Sequence, residues 1–204
     1  MAPIYDCSVE AELLTGMRLA RTAIGRGDLV VLPTDTVYGL AADAFNPAAV
    51  QKLIDTKGRT TQSPPPVLIP GIPTLDALAE GVPDEVRALV AKFWPGGLTV
   101  IVAANSALAW DLGDTRGTVA LRMPDNRIAL ELLSETGPLA VSSANLTGQP
   151  AATTAAEAEA MLGDSVAVYL DGGEAGTIAS TIVDAMALAL PDGKLRIVRE
   201  GAIP

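Results

Sequence analysis

Histidine is missing from this chain of 204 residues, and its absence excludes several kinds of active site. Ser-His-Asp and Cys-His hydrolases need a histidine base, and many zinc sites need histidine ligands. No other side chain has an ordinary pKa close to neutrality. If the chain is an enzyme, positioning and electrostatics must carry most of the catalysis, in place of a histidine proton shuttle.

Cysteine is almost as scarce, because Cys7 is the single one in the sequence. One cysteine excludes an intrachain disulfide and thiolate metal clusters, so we interpret Cys7 as a small apolar residue and expect no metal-binding set of protein ligands. No apolar run approaches the roughly 20 residues that span a bilayer. The first ten residues also lack a basic and then apolar signal pattern. We therefore expect a cytoplasmic protein without a membrane segment.

Aromatic residues make up only 3% of the chain, although 49% of it is hydrophobic. Ala, Val, Leu and Ile must therefore form the core, and the length predicts a single domain over residues 1–204. The formal net charge is −10, which disfavours loose adhesion to nucleic acid or anionic membranes. Any polyanion that this chain binds must be met by a local cluster of Lys and Arg.

Helical and strand patterns alternate in the first part of the chain, and strands cluster in the last part. Apolar periodicity, capping residues and Gly or Pro breaks predict helices over residues 9–26, 46–57, 83–93, 128–133 and 154–163. Short apolar runs predict strands over residues 28–32, 67–69, 98–103, 118–123, 138–142, 166–170, 181–185 and 195–199. This order favours an α/β fold with a twisted, open, mixed sheet flanked by helices.

Polar side chains follow the first of these strands. Pro33 cannot continue a central strand, so the chain must turn there and present Thr34, Asp35 and Thr36 at the strand end. In open α/β sheets, ligands bind at strand ends. An ordinary turn, in which the aspartate caps its own backbone, is the alternative interpretation.

A pair of cations, Lys57 and Arg59, closes the second helix. Gly58 between them lets the backbone turn, so both side chains are able to face one cavity as a phosphate clamp. The alternative is that the two charges only complement the helix dipole.

A run of hydroxyl and amide groups, residues 142–150, follows another strand and is typical of a nest for phosphate oxygens or an amino acid, although a plain polar loop would have the same composition. The Walker A and dinucleotide-binding glycine patterns are absent. Arg122 and Arg199 end two further strands, and each alone is typical of a surface arginine. Ser180 and Thr181 precede a strand and add hydroxyls.

Six motifs occur in one order along the chain, and together they resemble the YrdC-like family of threonylcarbamoyl-AMP synthases. They are Pro-Thr-Asp-Thr-Val-Tyr-Gly-Leu, Lys-Gly-Arg, Trp-Pro-Gly-Gly-Leu-Thr, Leu-Arg-Met-Pro, Ser-Ser-Ala-Asn-Leu-Thr-Gly and Ser-Thr-Ile-Val-Asp. The resemblance implies a sheet with a concave ligand cavity. It implies a reaction that joins L-threonine, bicarbonate or CO2, and ATP into threonylcarbamoyl-AMP with release of pyrophosphate. It also implies a partner complex that transfers the threonylcarbamoyl group to an adenosine of tRNA.

The resemblance also assigns roles to residues. The family's Lys-x-Arg and Ser-x-Asn patterns fall on the expected catalytic residues Lys57, Arg59, Ser143 and Asn145. The expected threonine side comprises Thr34, Tyr38, Arg59 and Ser143. The expected nucleotide side comprises Lys57, Arg59, Arg122, Ser142, Asn145, Ser180 and Arg199. The four cationic side chains of this nucleotide side would neutralise the phosphates together with Mg2+.

Two positions depart from the family pattern. Some members place a histidine in the strand after the Lys-x-Arg motif, where this chain has Val67, Leu68 and Ile69, and Glu200 stands where proline is common. Two other functions compete with the synthase: binding of double-stranded RNA or tRNA in ribosome maturation, and carbamoyl handling in another pathway. RNA binding needs a clustered basic face, whereas the Lys and Arg residues here are scattered.

Overall fold

The computed structural model of the protein describes residues 2–190 and 192–204. The strands, in chain order, are β1 Ile4–Asp6, β2 Val30–Leu32, β3 Gly39–Asp43, β4 Val67–Leu68, β5 Leu98–Ala103, β6 Thr118–Arg122, β7 Leu139–Ser143, β8 Val168–Asp171, β9 Thr181–Asp184 and β10 Arg196–Arg199. The α-helices are α1 Glu10–Gly25, α2 Pro47–Thr56, α3 Ile72–Leu78, α4 Asp84–Phe93, α5 Arg127–Thr136 and α6 Ala155–Leu162. Two 3-10 turns follow at Gly163–Ser165 and Met186–Ala189.

The ten strands join one sheet in the spatial order β1-β8-β2-β3-β7-β4-β6-β5-β9-β10. The pairs β1–β8, β2–β8, β4–β6 and β5–β9 are parallel, and the other neighbouring pairs are antiparallel. The predicted mixed α/β sheet flanked by helices is therefore confirmed.

Strand β2 shows how the sheet separates two apolar layers. Val30 and Leu32 pack in a cluster with residues of α1 and α5, whereas Val31 between them packs with residues of α2 and α6. Successive side chains of a strand point to opposite faces, so these helix pairs cover the two faces of the sheet. A third cluster joins α3 and α4 to strands β4, β5 and β6. None of the helices in the described part of the chain has both the length and the apolar character that crossing a bilayer requires.

Local capping explains where the helices begin. The side chain of Asn46 accepts hydrogen bonds from the backbone of Ala48 (3.1 Å) and Ala49 (3.2 Å), and Pro47 occupies the first position of α2. Thr154 accepts from the backbone of Glu157 (3.2 Å) at the start of α6. Each cap satisfies backbone N–H groups that the helix itself leaves free, so both predicted starts lie within a residue of the observed ones.

Three elements were not expected from the sequence: β1, β3 and α3. β3 reads Gly-Leu-Ala-Ala-Asp and contains no β-branched residue, so its local preference for a strand is weak. It is a strand because it pairs with β2 on one side and β7 on the other. The three-residue β1 and the seven-residue α3 are too short for a periodic pattern.

Candidate active site

A cavity of about 240 Å³ lies where β7, β4, β6, β5 and β9 stand side by side. The segment between β2 and β3, the segment after α2, and the end of β10 complete its walls. Of the ten predicted site residues, eight line this cavity, and they are Thr34, Tyr38, Arg59, Arg122, Ser142, Ser143, Ser180 and Arg199. The fold therefore brings together residues that are far apart in the sequence.

The cavity is strongly cationic. Among the described residues that line it are Arg59, Arg122 and Arg199, and none of the lining residues is acidic. Arg59 and Arg199 are exposed, whereas Arg122 is buried. Although much of Arg199 is exposed, partial burial of its guanidinium and the nearby charge of Arg59 lower the pKa of Arg199. Like charges placed together favour binding of an anion, which relieves their repulsion.

Arg122 is fixed on three sides. Its Nε donates to the carbonyl of Gly96 (3.0 Å), Nη1 donates to Oγ1 of Thr36 (2.8 Å) and Nη2 donates to Oδ1 of Asp35 (2.5 Å). Burial lowers the pKa of Arg122, and the carboxylate of Asp35 opposes that shift. Three of the five N–H groups of a guanidinium are used in this way, which leaves two for a ligand in the cavity.

Ser142 and Ser143 end β7 at the cavity wall. The Ser142 hydroxyl is buried and is the one buried side-chain polar atom of the described residues that has no hydrogen-bond partner. Leaving such a group unpaired costs about 1–3 kcal/mol, so buried hydroxyls usually have partners. An acceptor or donor atom of a bound ligand would satisfy it, so this unpaired buried hydroxyl is the clearest local sign that the cavity is a binding site.

Lys57 lies behind the cavity wall instead of lining it. Its side chain is buried, and the ammonium donates to the backbone carbonyl of Ser143 (2.6 Å), to Oδ1 of Asn145 (2.9 Å) and to the backbone carbonyl of Asn145. These three acceptors use all the protons of the ammonium. Burial, followed by the charge of Arg59, lowers the pKa of Lys57 to about 8. Through these bonds, Lys57 fixes the position of the segment that carries Ser142 and Ser143.

Asn145 also lies behind the wall. Its side-chain amide donates to the carbonyls of Leu146 (3.0 Å) and Gln149 (2.7 Å), so it shapes its own loop. The hydroxyl of Thr147 donates to the carbonyl of Lys57 (2.5 Å). This bond is a second connection between the loop after β7 and the residue that follows α2. The Lys-x-Arg and Ser-x-Asn patterns thus meet in space as expected. Contact of Lys57 or Asn145 with a ligand stays a prediction.

Thr34 lines the cavity with its hydroxyl already engaged. It donates to the carbonyl of Val37 (2.6 Å), accepts from the backbone of Thr36 (3.1 Å) and lies 3.1 Å from the hydroxyl of Thr36. These bonds form a tight turn. It differs from the alternative interpretation, in which Asp35 caps its own backbone, because Oδ1 of Asp35 accepts from Arg122 and from the backbone of Asp125 instead. The structure shows the turn and the cavity wall to be the same feature.

The ring of Tyr38 is fully buried, and its hydroxyl serves the scaffold. It donates to the carbonyl of Gly173 (2.6 Å), accepts from the backbone of Gly172 (3.0 Å) and lies 3.3 Å from Oδ1 of Asp171. Burial raises the pKa of Tyr38. Since the hydroxyl holds the segment after β8, only other atoms of Tyr38 are left to meet a ligand.

Ser180 and Arg199 line the cavity as a bonded pair. Arg199 donates to the carbonyl of Ser180 through Nε (3.0 Å) and Nη2 (2.7 Å), and Nη2 is 3.1 Å from the Ser180 hydroxyl. That hydroxyl lies 2.8 Å from the hydroxyl of Thr99. Both predicted residues therefore belong to one hydrogen-bonded group.

Two further residues that bring hydroxyls to the cavity, Thr36 and Thr99, were not among the predicted site residues. Thr99 entered the sequence analysis only as the last residue of the Trp-Pro-Gly-Gly-Leu-Thr motif, whose Trp94 is buried and donates to the carbonyl of Leu98 (2.7 Å). Thr36 was noted only as a turn hydroxyl, yet it joins Thr34 to Arg122. Thr99 is the second residue of β5, and a hydroxyl near the end of an apolar strand was the available signal for it.

Comparison with known families gives an independent result. The Sua5/YciO/YrdC family model, described as "Telomere recombination", matches residues 22–201 of this chain. A Mycobacterium leprae protein named "Putative threonylcarbamoyl-AMP synthase" is 47% identical over 204 residues, which is 100% of this chain and 90% of that protein. The "Threonylcarbamoyl-AMP synthase" of Bacillus subtilis is 38% identical over 85% of this chain and 52% of its own length.

Solved structures agree with the observed fold. The crystal structure of Pyrococcus abyssi Sua5 complexed with L-threonine matches with a TM-score of 0.88 and 32% identity, over 100% of this chain and 58% of that chain. This chain thus spans about three fifths of the archaeal protein. Escherichia coli YciO matches in fold with a TM-score of 0.85 at 22% identity, over 99% of this chain and 97% of its own.

Proposed function

The chain belongs to the Sua5/YciO/YrdC family, and from that premise we propose that it is a threonylcarbamoyl-AMP synthase. It condenses L-threonine, bicarbonate or CO2, and ATP into threonylcarbamoyl-AMP and pyrophosphate. The curated relatives carry the name of this activity, and the related archaeal structure holds L-threonine.

One observation carries the proposal at the level of the site: Arg59, Arg122 and Arg199 converge on one cavity in a chain of net charge −10. Most of the surface of such a chain repels a nucleotide, so a triphosphate is attracted to the place where cations are concentrated. Guanidinium groups suit this task because they stay charged and donate in pairs to phosphate oxygens.

The proposed reaction does not require a nucleophile from the protein, because the substrates supply it. The amine of threonine takes up CO2, or bicarbonate with loss of water, to form a carbamate. A carbamate oxygen then attacks the α-phosphorus, the bond from that phosphorus to the bridging oxygen breaks, and pyrophosphate leaves with the electron pair. Charge therefore builds up on the leaving group, where arginines stabilise it, and the cavity aligns the reactants. A chain without histidine is equipped for this chemistry.

We divide the cavity between the two substrates as follows. Arg122, Ser142, Ser180 and Arg199 bind the nucleotide, and Ser142 gains the partner that it lacks in the free protein. Thr34, Tyr38, Arg59 and Ser143 form the threonine side, with Arg59 placed to contact the carboxylate of threonine or a phosphate. Lys57 and Asn145 act from behind by holding the Ser142–Ser143 segment in place, which their hydrogen bonds support.

A magnesium ion would come to this site with its substrate. In the described part of the chain, no group of three or more Cys, Asp and Glu side chains is arranged to hold a metal ion. Asp35, beside the cavity, is committed to Arg122. The residues present do not form a metal site, so Mg2+ would be bound by the phosphate oxygens of ATP.

The product would pass to a threonylcarbamoyl-transfer complex that modifies tRNA, and binding of RNA by this chain itself is the competing function. The three cavity arginines line a concave site, whereas binding of duplex RNA needs basic residues spread along a face. A flat dependence of any RNA affinity on salt would discard RNA binding as the main role.

Pyrophosphate release tests the proposal. Purified protein is incubated with ATP, and threonine and bicarbonate are added separately and together. We expect release only when both are present. Release of pyrophosphate from ATP without either of them, or none with both, would overturn the proposed function.

A further inference from the structure

The hydroxyl of Thr181 holds the last residues of the chain against the cavity wall. Its Oγ1 accepts from the backbone of Gly201 (3.0 Å) and Ile203 (3.0 Å) and donates to the carbonyl of Ile203 (2.5 Å). Thr181 is buried at 5% exposure. One donor and two acceptor positions are the full capacity of a hydroxyl, so this group is used completely.

Residues 201–203, which we name the anchor segment, pack closely against the residues around Thr181. A Cβ on Gly201 would lie 2.3 Å from the carbonyl oxygen of Ala179, so glycine is required there. The backbone of Ala202 donates to the same carbonyl (2.9 Å), and its Cβ would lie 3.0 Å from a Cβ built on Gly97. Ile203 packs against the cluster that joins α3 and α4 to the sheet.

Arg199 lies two residues before this anchor segment, at the end of β10. All four residues of β10 are exposed, and the strand pairs with β9 alone, with a register shift between Ile197 and Arg199. Edge strands held by one neighbour open readily. The anchor segment is therefore what fastens the chain immediately beyond Arg199.

We propose that Thr181 is a positioning residue that keeps Arg199 in the cavity by fastening the anchor segment. Thr181 is the next residue in the chain after Ser180, and the backbone carbonyl of Ser180 accepts hydrogen bonds from the guanidinium of Arg199. The side chain of Thr181 thus holds the segment that follows the arginine, and its backbone is bonded directly to the residue that receives the guanidinium. The inference deepens the proposed function, on which it rests, because it concerns how the nucleotide side is held.

A matched pair of variants tests the inference. Thr181→Val keeps the shape and removes the hydroxyl, whereas Thr181→Ser keeps the hydroxyl. We expect the KM for ATP to rise about tenfold in Thr181→Val, in line with the loss of three hydrogen bonds that hold the segment after Arg199. The KM for threonine should change less than about twofold and kcat should change little, and Thr181→Ser should match the wild type.

A double-mutant cycle separates positioning from a general structural effect. If Thr181 acts through Arg199, then Thr181→Val should add less than about twofold to the KM of an Arg199→Ala variant. An equal further loss in that background, or an unchanged KM for ATP in the single variant, would overturn the inference.

Two further measurements keep the test decisive. If Thr181→Val does not fold, Ile203→Ala loosens the anchor segment without touching the hydroxyl, and the same selective rise in the KM for ATP is expected, while an unchanged KM contradicts the inference. Binding of inorganic pyrophosphate, measured by calorimetry, does not depend on turnover. If wild-type protein makes no product, the proposed function fails, and weaker pyrophosphate binding by Thr181→Val would still support the positioning role, while equal binding would refute it.

Discussion

Oδ1 of Asp35 lies 2.5 Å from Nη2 of Arg122, and the two side chains are only 16% and 7% exposed. The same oxygen accepts from the backbone of Asp125 (3.0 Å). A buried charge needs a partner, so Asp35 makes it possible for an arginine to stand in the wall of the cavity. The pair also fixes the direction in which the remaining N–H groups of Arg122 point.

Replacing Asp35 with asparagine tests this relationship. Asp35→Asn keeps the shape and an acceptor oxygen but removes the charge, so we expect the free energy of unfolding to fall by about 2 kcal/mol and the KM for ATP to rise about tenfold. Chemical denaturation and steady-state kinetics measure the two effects. Asp76→Asn is the control, because Asp76 and Arg87 form an exposed pair (2.8 Å), whose loss costs at most about 1 kcal/mol. Equal behaviour of the two variants would contradict the assignment.

Replacing Ser142 with alanine should separate stability from function. The hydroxyl has no partner in the free protein, so Ser142→Ala should leave the free energy of unfolding unchanged or raise it by about 1 kcal/mol. ATP binding, measured by calorimetry, should weaken about tenfold because the ligand loses a hydrogen bond in a buried site. Ser134→Ala, at an exposed position of α5, is the control and should change neither quantity. A destabilised Ser142→Ala with normal ATP affinity would show that the hydroxyl serves the scaffold.

Activity should depend on the protonation of Lys57. Its pKa is lowered to about 8, so kcat/KM for ATP should fall as the pH rises through that value, because a neutral amine holds the Ser143–Asn145 segment less firmly. This decrease of kcat/KM at high pH should be absent from Lys57→Met, a variant that we expect to have low activity at every pH. In Lys52→Met, altered at a partly exposed position of α2, the helix that ends just before Lys57, the decrease at high pH should persist. A profile that stays flat to pH 9.5 in the wild type would contradict this role.

The stability contribution of Lys57 has the opposite trend. Its pKa in the folded protein, about 8, is lower than the ordinary value of 10.5, so the unfolded chain binds more protons between these two values. The contribution of this group to the free energy of unfolding therefore rises as the pH increases through that window. Comparing denaturation of the wild type and Lys57→Met at pH 7.5 and pH 10 isolates the effect. A difference between the two proteins that does not change with pH would argue against the shifted pKa.

Arg59 should contribute mainly through its charge. The side chain is exposed, so Arg59→Ala should retain the wild-type midpoint of thermal unfolding within about 2 °C, as expected for a surface substitution. The KM for ATP should rise about tenfold at low salt, and the difference should shrink as added salt screens the field. Arg26→Ala, an exposed arginine at the end of α1, provides the comparison. An equal effect of both substitutions would mean that only net charge matters.

Much of the sheet follows from local sequence, since runs such as Val30–Leu32 and Leu98–Ala103 are apolar and bounded by turn residues. β3 does not follow, because its partners β2 and β7 decide its conformation. The order of the strands along the sheet is also outside the reach of local patterns, since several pairings, such as β1 with β8 and β3 with β7, join distant parts of the chain.

The candidate site shows the same division. Motif recognition located Arg59, Ser143 and Arg199, because chemistry and chain order mark them. It did not show that Lys57 would be enclosed by backbone carbonyls, or that the hydroxyl of Tyr38 would turn to the segment after β8. Those outcomes depend on which loops meet in space, and a residue type alone does not carry that information.

The most direct test of the central claim is detection of the product. Wild-type protein and an Arg59→Ala, Arg199→Ala double variant are incubated with ATP, threonine and bicarbonate, and threonylcarbamoyl-AMP is identified by its mass. Both arginines are exposed, so the double variant should fold. We expect the wild type to form the adduct and the variant to form it at least about a hundredfold more slowly, since two charge-assisted contacts to phosphate are lost. Absence of the adduct with the wild type, or equal rates in the two proteins, would contradict the account.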